Sequence, residues 1–250
     1  MASEACCAAG QPVVAEYTPQ GARHNVGDLE VYVVGAGPPV LIIYDIFGFS
    51  FSQVFQMADR IASSGFMVAM PDVFHGKPWT MARFPPKPED NFMDWLTSIS
   101  DYPGKVKPDV EASLAVLKQK GAEEGKCGVI GFCWGAAMAL AMGADNGSAV
   151  GAVCCAHPSF GILPDEGADM TQGLQCPMAL LPAHGDNIEK VQKALEGKPF
   201  AGKCVVKEFP DQAHGFMAAR GDFSDPKVAA AAAEGAEIFA KFLKDNLLTS

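Results

Sequence analysis

Residues 131–135 read Gly131-Phe132-Cys133-Trp134-Gly135. Before them, Cys127-Gly128-Val129-Ile130 is a short apolar run suited to a buried strand. After them, Ala136-Ala137-Met138-Ala139-Leu140-Ala141-Met142 is a small-residue helix former. Strand, Gly-x-nucleophile-x-Gly, helix is the layout of a nucleophile elbow. A strand that turns directly into a helix forces its middle residue into a strained conformation and crowds positions two before and two after, where glycine is needed. The turn presents the central side chain at the mouth of a sheet and aims a helix N-terminus at charge developing there. Here the presented atom is a sulfur.

Outward from this point, apolar runs alternate with helix-period segments. Strands are expected at 29–34, 39–44, 66–70, 126–130, 150–154, 177–181 and 203–209. Several are apolar throughout, as in a parallel sheet covered on both faces. Val54, Met57, Ala58 and Ile61 share one helical face, as do Val106, Val110, Leu114 and Leu117. A long last helix over about 225–247 carries Val228, Ile238, Phe239, Phe242 and Leu243, with Pro226 suited to its first turn. The pattern predicts α/β architecture: a mainly parallel, doubly wound, twisted sheet with helices on both faces and its first one or two strands antiparallel. A proline-rich insertion near 77–103, with Trp79 and Trp95, breaks the rhythm. Such an insertion after a strand lies where α/β enzymes bind ligands, and its aromatics would equally cover the core.

At 250 residues the chain is expected to form one domain over 1–250. The formal charge of −10 argues against nucleic acid or an anionic membrane as partner. No apolar run of about 18 residues occurs, so no span is expected. Met1 to Cys7 lacks a basic segment followed by an apolar one, so a cytoplasmic location is expected and the eight cysteines read as reduced thiols. Cys6-Cys7 and Cys154-Cys155 are adjacent pairs, unlike zinc spacing, and no metal is expected.

A cysteine nucleophile needs a base, and the base an orienting acid. After an elbow the order is nucleophile, acid, histidine, each beyond a later strand. Asp186 follows the strand at 177–181, and His214 follows the one at 203–209. Cys133 would attack, His214 would move the proton, and Asp186 would fix the imidazole. Asp211, three residues before His214, is a competing acid; His157 and His184 are competing bases. The oxyanion hole should use the Trp134 amide and one from the loop Tyr44-Asp45-Ile46-Phe47-Gly48-Phe49. Asp45, ending an apolar strand, either faces the thiol or caps the following turn.

The Asp45-Ile46-Phe47-Gly48 loop, Pro71-Asp72, the Cys-containing elbow, and Ala213-His214-Gly215-Phe216 with Arg220 together resemble the dienelactone hydrolase family of the α/β-hydrolase fold. The resemblance spans roughly residues 25 to 245. It implies hydrolysis of enol lactones and related small esters by Cys133, His214 and Asp186, without metal or cofactor, and an oxyanion hole of the Ile46 and Trp134 amides. Family members carry a glutamate at the position of Asp45, where it gates the resting thiol; the aspartate is one methylene shorter. They hold a substrate carboxylate with two arginines, for which Arg83 and Arg220 are the candidates here, with Phe47 and Trp79 as further substrate contacts. An anionic substrate is thus implied. Nothing in the sequence fixes the oligomeric state. The alternative is a non-catalytic small-molecule sensor or redox-responsive binder on the same fold.

Overall fold

The computed structural model describes residues 11–145 and 149–248. Cys6, Cys7 and the N-terminal stretch read above lie outside the described residues. The chain forms an eight-stranded sheet in the order β1-β2-β4-β3-β5-β6-β7-β8. The strands are β1 (Ala22–Val26), β2 (Leu29–Gly35), β3 (Pro39–Ile43), β4 (Met67–Pro71), β5 (Cys127–Phe132), β6 (Val150–Ala156), β7 (Met178–Leu181) and β8 (Val205–Val206). β1 pairs antiparallel with β2, and β2 with β4; from β4 through β8 every pairing is parallel. With helices packed on it, this is the mainly parallel α/β sheet expected from the alternation, and the arrangement that the resemblance to the α/β-hydrolase fold implied.

Two strands depart from expectation. β1, with no expected counterpart, is exposed at four of its five positions, so it carries no apolar signal. It is held as an edge hairpin across the Gly27 turn. The expected strand at 203–209 shrinks to Val205–Val206, with one further bridge joining Ala183 to Phe209. At the sheet's edge it has a partner on one side only.

The helices are α1 (Gln53–Ser63), α2 (Phe92–Ile99), α3 (Lys107–Gln119), α4 (Trp134–Ala144), α5 (Ala168–Gly173), α6 (Glu189–Glu196) and α7 (Pro226–Leu247). α4 is buried over ten consecutive residues, 134 to 143, which its alanines, glycines and methionines allow without leaving a polar face. The last helix starts at Pro226, and the Asp225 carboxylate accepts the Lys227 N–H at 2.7 Å.

The insertion folds into short turns and α2. Its aromatics form a cluster with the core: Trp79 is fully buried against Phe92 and Trp95, and Phe74 lies against Trp134. Ile43 stands opposite Gly131 across β3 and β5. The loop beyond β3 therefore lies beside the elbow.

Candidate active site

The elbow forms as the sequence predicts, and its strain is visible. Cys133 has φ 55° and ψ −115°, outside ordinary strand and helix geometry, and caps α4. The two glycines serve different contacts. A Cβ on Gly131 would overlap the Gly135 carbonyl, the expected clash across the turn. A Cβ on Gly135 would overlap the Ile43 and Tyr44 carbonyls, so this glycine lets helix and strand β3 approach.

Beyond β7 and β8 the loops are tied together. The His184 N–H donates to the Gln212 carbonyl at 2.9 Å, and Phe209 N–H to Pro182 at 2.8 Å. This seam brings Asp186 to His214: Nδ1 and Oδ1 are 2.6 Å apart, with side chains 1% and 3% exposed for Asp186 and His214. The second Asp186 oxygen accepts the Ala183 N–H at 2.8 Å, which fixes the carboxylate. Asp211, the competing acid, is not the group that meets His214 Nδ1.

Cys133 lies beside the ring, lining the same small cavity, and Nε2 makes no hydrogen bond to another residue. Burial alone would lower the His214 pKa; the nearby charge of Cys133 and the Asp186 bond outweigh it and push the pKa up to about 10. The structure thus brings the sulfur, the imidazole and the carboxylate together in the expected order.

Cys133 and His214 line one small cavity with Asp45, Ile46, Phe47, Gly215 and Arg220. Room for solvent in it is about 10 Å³, roughly one water. Ile46 borders it from the loop beyond β3. Trp134 opens α4, where the first amides have no acceptor within the helix.

Asp45 is buried at 4% exposure. One oxygen accepts the Phe47 N–H at 2.9 Å and the other the Ala219 N–H at 3.0 Å. Burial raises its pKa, against the two amide bonds and the charges of Arg220 and His214. The carboxylate therefore ties the loop beyond β3 to the segment after His214.

The two arginines part company. Arg220 lines the cavity, its guanidinium 4.8 Å from the Phe84 ring centre and its Nη1 donating to the His214 carbonyl at 3.4 Å. Arg83 is absent from the cavity lining. It lies 3.9 Å over the Trp79 ring and pairs with Asp90 at 3.6 Å. Phe47 lines the cavity, whereas Trp79 sits in the insertion's core and donates its indole N–H to the Arg83 carbonyl at 3.0 Å. The insertion touches the site loop through Phe84, which packs on Phe47 at 5.4 Å, and through the Trp79 backbone N–H, which donates to the Ile46 carbonyl at 2.9 Å.

Two residues beyond β6 also touch the machinery. The Ser159 hydroxyl is 3.3 Å from the Cys133 sulfur. His157, fully buried, lies edge-on to His214 at 5.2 Å, and neither of its ring nitrogens bonds another residue. Burial, then the charges of His214 and Arg220, lower its pKa well below the usual range and keep it neutral. Ser159 carries no sequence signal, because nothing local to His-Pro-Ser marks a contact with an elbow 26 residues earlier.

Among the described residues there is no cluster of metal ligands, and no helix is long and apolar enough to cross a membrane.

A model of the dienelactone hydrolase family matches residues 30–247. An uncharacterised AIM2 family protein of Schizosaccharomyces pombe is 35% identical, over 89% of this chain and 91% of its own. A carboxymethylenebutenolidase homolog of Mus musculus is 30% identical over 81% of each chain. A dienelactone hydrolase-like promiscuous phosphotriesterase, P91, from metagenomic libraries, has a similar fold with a TM-score of 0.62 at 18% identity, covering 91% of this chain and 98% of its own.

Proposed function

Because this chain belongs to the dienelactone hydrolase family, we propose that it hydrolyses small esters and lactones through a Cys133–His214–Asp186 triad and a thioester intermediate. The observation that carries the reading is the 2.6 Å bond from the imidazole to the buried Asp186 carboxylate, with the ring and the Cys133 sulfur lining one cavity. Asp186 holds Nδ1, which directs the other ring nitrogen to the sulfur.

In this reading His214, whose pKa the nearby charge of Cys133 and the Asp186 bond raise, is the imidazolium and Cys133 the thiolate of the resting pair. The sulfur forms a bond to the substrate carbonyl carbon, and the carbonyl electron pair moves to oxygen. The Ile46 and Trp134 amides stabilise that oxyanion. As it collapses, the ester C–O bond breaks and His214 gives its proton to the departing alkoxide. Neutral His214 then takes a proton from water, whose oxygen attacks the thioester. Expulsion of the thiolate releases the carboxylic acid and restores the ion pair.

Arg220 in the cavity lining suits a substrate that carries a carboxylate. Cytoplasmic location fits cysteines that form no disulfide among the described residues.

The test is hydrolysis of p-nitrophenyl acetate and an enol lactone by the wild type and Cys133→Ala. Saturable turnover that one equivalent of alkylator abolishes, and that Cys133→Ala lacks, is the expected result. Retention of more than about a tenth of wild-type turnover by Cys133→Ala overturns the mechanism.

A further inference from the structure

We propose that Ser159 is a further catalytic residue, its hydroxyl donating a hydrogen bond to the Cys133 thiolate and favouring that form over the acylated sulfur. The inference rests on the assignment of Cys133 as nucleophile. The oxygen lies 3.3 Å from the sulfur, a normal length for an O–H···S contact.

The backbone holds this contact from both sides. The Ser159 N–H donates to the Cys133 carbonyl at 3.1 Å, and the Cys133 N–H to Ala156 at 3.2 Å. Between these two anchors the chain reverses at His157, whose φ of 36° is costly for a bulky side chain. His157 is itself tied down, its N–H donating to the Leu181 carbonyl at 2.8 Å. Its buried ring leaves both nitrogens without a partner residue while packing on His214. Strain and unsatisfied polar atoms persist where the surroundings enforce them. Here they deliver one segment, 157–159, onto both the nucleophile and its base.

The chemistry favours a donor at this place. A thiolate is a charged acceptor, and hydrogen bonds to charged groups are the stronger ones. The sulfur of a thioester is uncharged and a poor acceptor. The Ser159 bond is therefore worth more before attack and again as the thiolate leaves in deacylation. It raises the thiolate fraction at neutral pH and eases the sulfur's departure.

The other titratable groups around the sulfur are His214 with Asp186, Asp45 beyond β3, Arg220, and His157. Substitution at 159 changes none of them. Ser159→Ala keeps the amide that bonds the elbow, and the pair Ser159→Thr and Ser159→Val differs only in the hydroxyl.

The experiment is iodoacetamide alkylation of Cys133 against pH, resolved by site with mass spectrometry, alongside ester hydrolysis and the melting temperature. Ser159→Ala and Ser159→Val should move the alkylation midpoint upward by about one pH unit, equivalent to a tenfold smaller ratio of thiolate to thiol at a given pH. Ser159→Thr should restore the wild-type curve. An unmoved midpoint in folded Ser159→Ala and Ser159→Val overturns the proposal. Alkylation needs no turnover, so the two assignments fail separately. Hydrolysis surviving in Cys133→Ala removes the nucleophile; an inactive Cys133→Ala with an unmoved Ser159 midpoint removes only the hydroxyl's role.

Discussion

Asp186 Oδ1 and His214 Nδ1 meet at 2.6 Å in a setting that excludes solvent from both side chains. Asp186→Asn keeps the shape and reverses the hydrogen-bonding sense, since an amide nitrogen can face Nδ1 and favour the wrong tautomer. On the triad reading, kcat should fall by about 10³ to 10⁴, with the fold intact. Steady-state kinetics and circular dichroism check it.

The Cys133 charge is the strongest influence raising the His214 pKa, and it works against burial. In the wild type the imidazolium should persist to about pH 10, and the proton should leave only above that. Cys133→Ala removes the opposing charge while burial stays, so the midpoint must drop. Nitrogen NMR of the labelled imidazole reads both midpoints. Equal midpoints in the two proteins would show that the thiolate does not carry the shift.

The two elbow glycines should be intolerant for separate reasons. Gly131→Ala meets the backbone of Gly135, and Gly135→Ala meets β3. Backbone cannot yield as a side-chain tip can, so each should cost several kcal/mol or prevent folding. Gly202→Ala, with open space around its added methyl, should stay within about 0.5 kcal/mol. Urea unfolding compares the three.

Asp45 holds two buried N–H groups, one in the loop beyond β3 and one in the segment after His214. Asp45→Asn turns an NH₂ toward one of them, which should destabilise the fold by about 1–3 kcal/mol. If the carboxylate also restrains the thiol, as the family's glutamate does, resting alkylation of Cys133 will accelerate as well. If it acts only as the tie between segments, alkylation will keep its wild-type pH profile.

Arg220 is the arginine placed to meet a substrate anion. Arg220→Gln should raise KM for a carboxylate-bearing ester by about ten- to a hundredfold. The neutral p-nitrophenyl acetate should be affected far less. Equal losses on both substrates would mean that Arg220 serves the His214 loop and not the substrate.

The sequence by itself determined the elbow, the order of acid and histidine, and the succession of strands and helices, because each is written locally. Glycine spacing reports a strained turn, and continuous apolar runs report strands buried on both faces. Tertiary structure alone decided what depends on contacts between distant segments. The edge strand β1 had no apolar pattern to show. Asp186 prevailed over Asp211 because the 183–186 turn docks on the 209–214 loop. Trp79 went to the insertion's core with the exposed Arg83 stacked over it, while Arg220 reached the cavity and Phe84 packed on Phe47 behind its wall. Ser159 and His157 arrived at Cys133 and His214 by parallel pairing of β5 with β6, a relation between chain segments that no local pattern encodes.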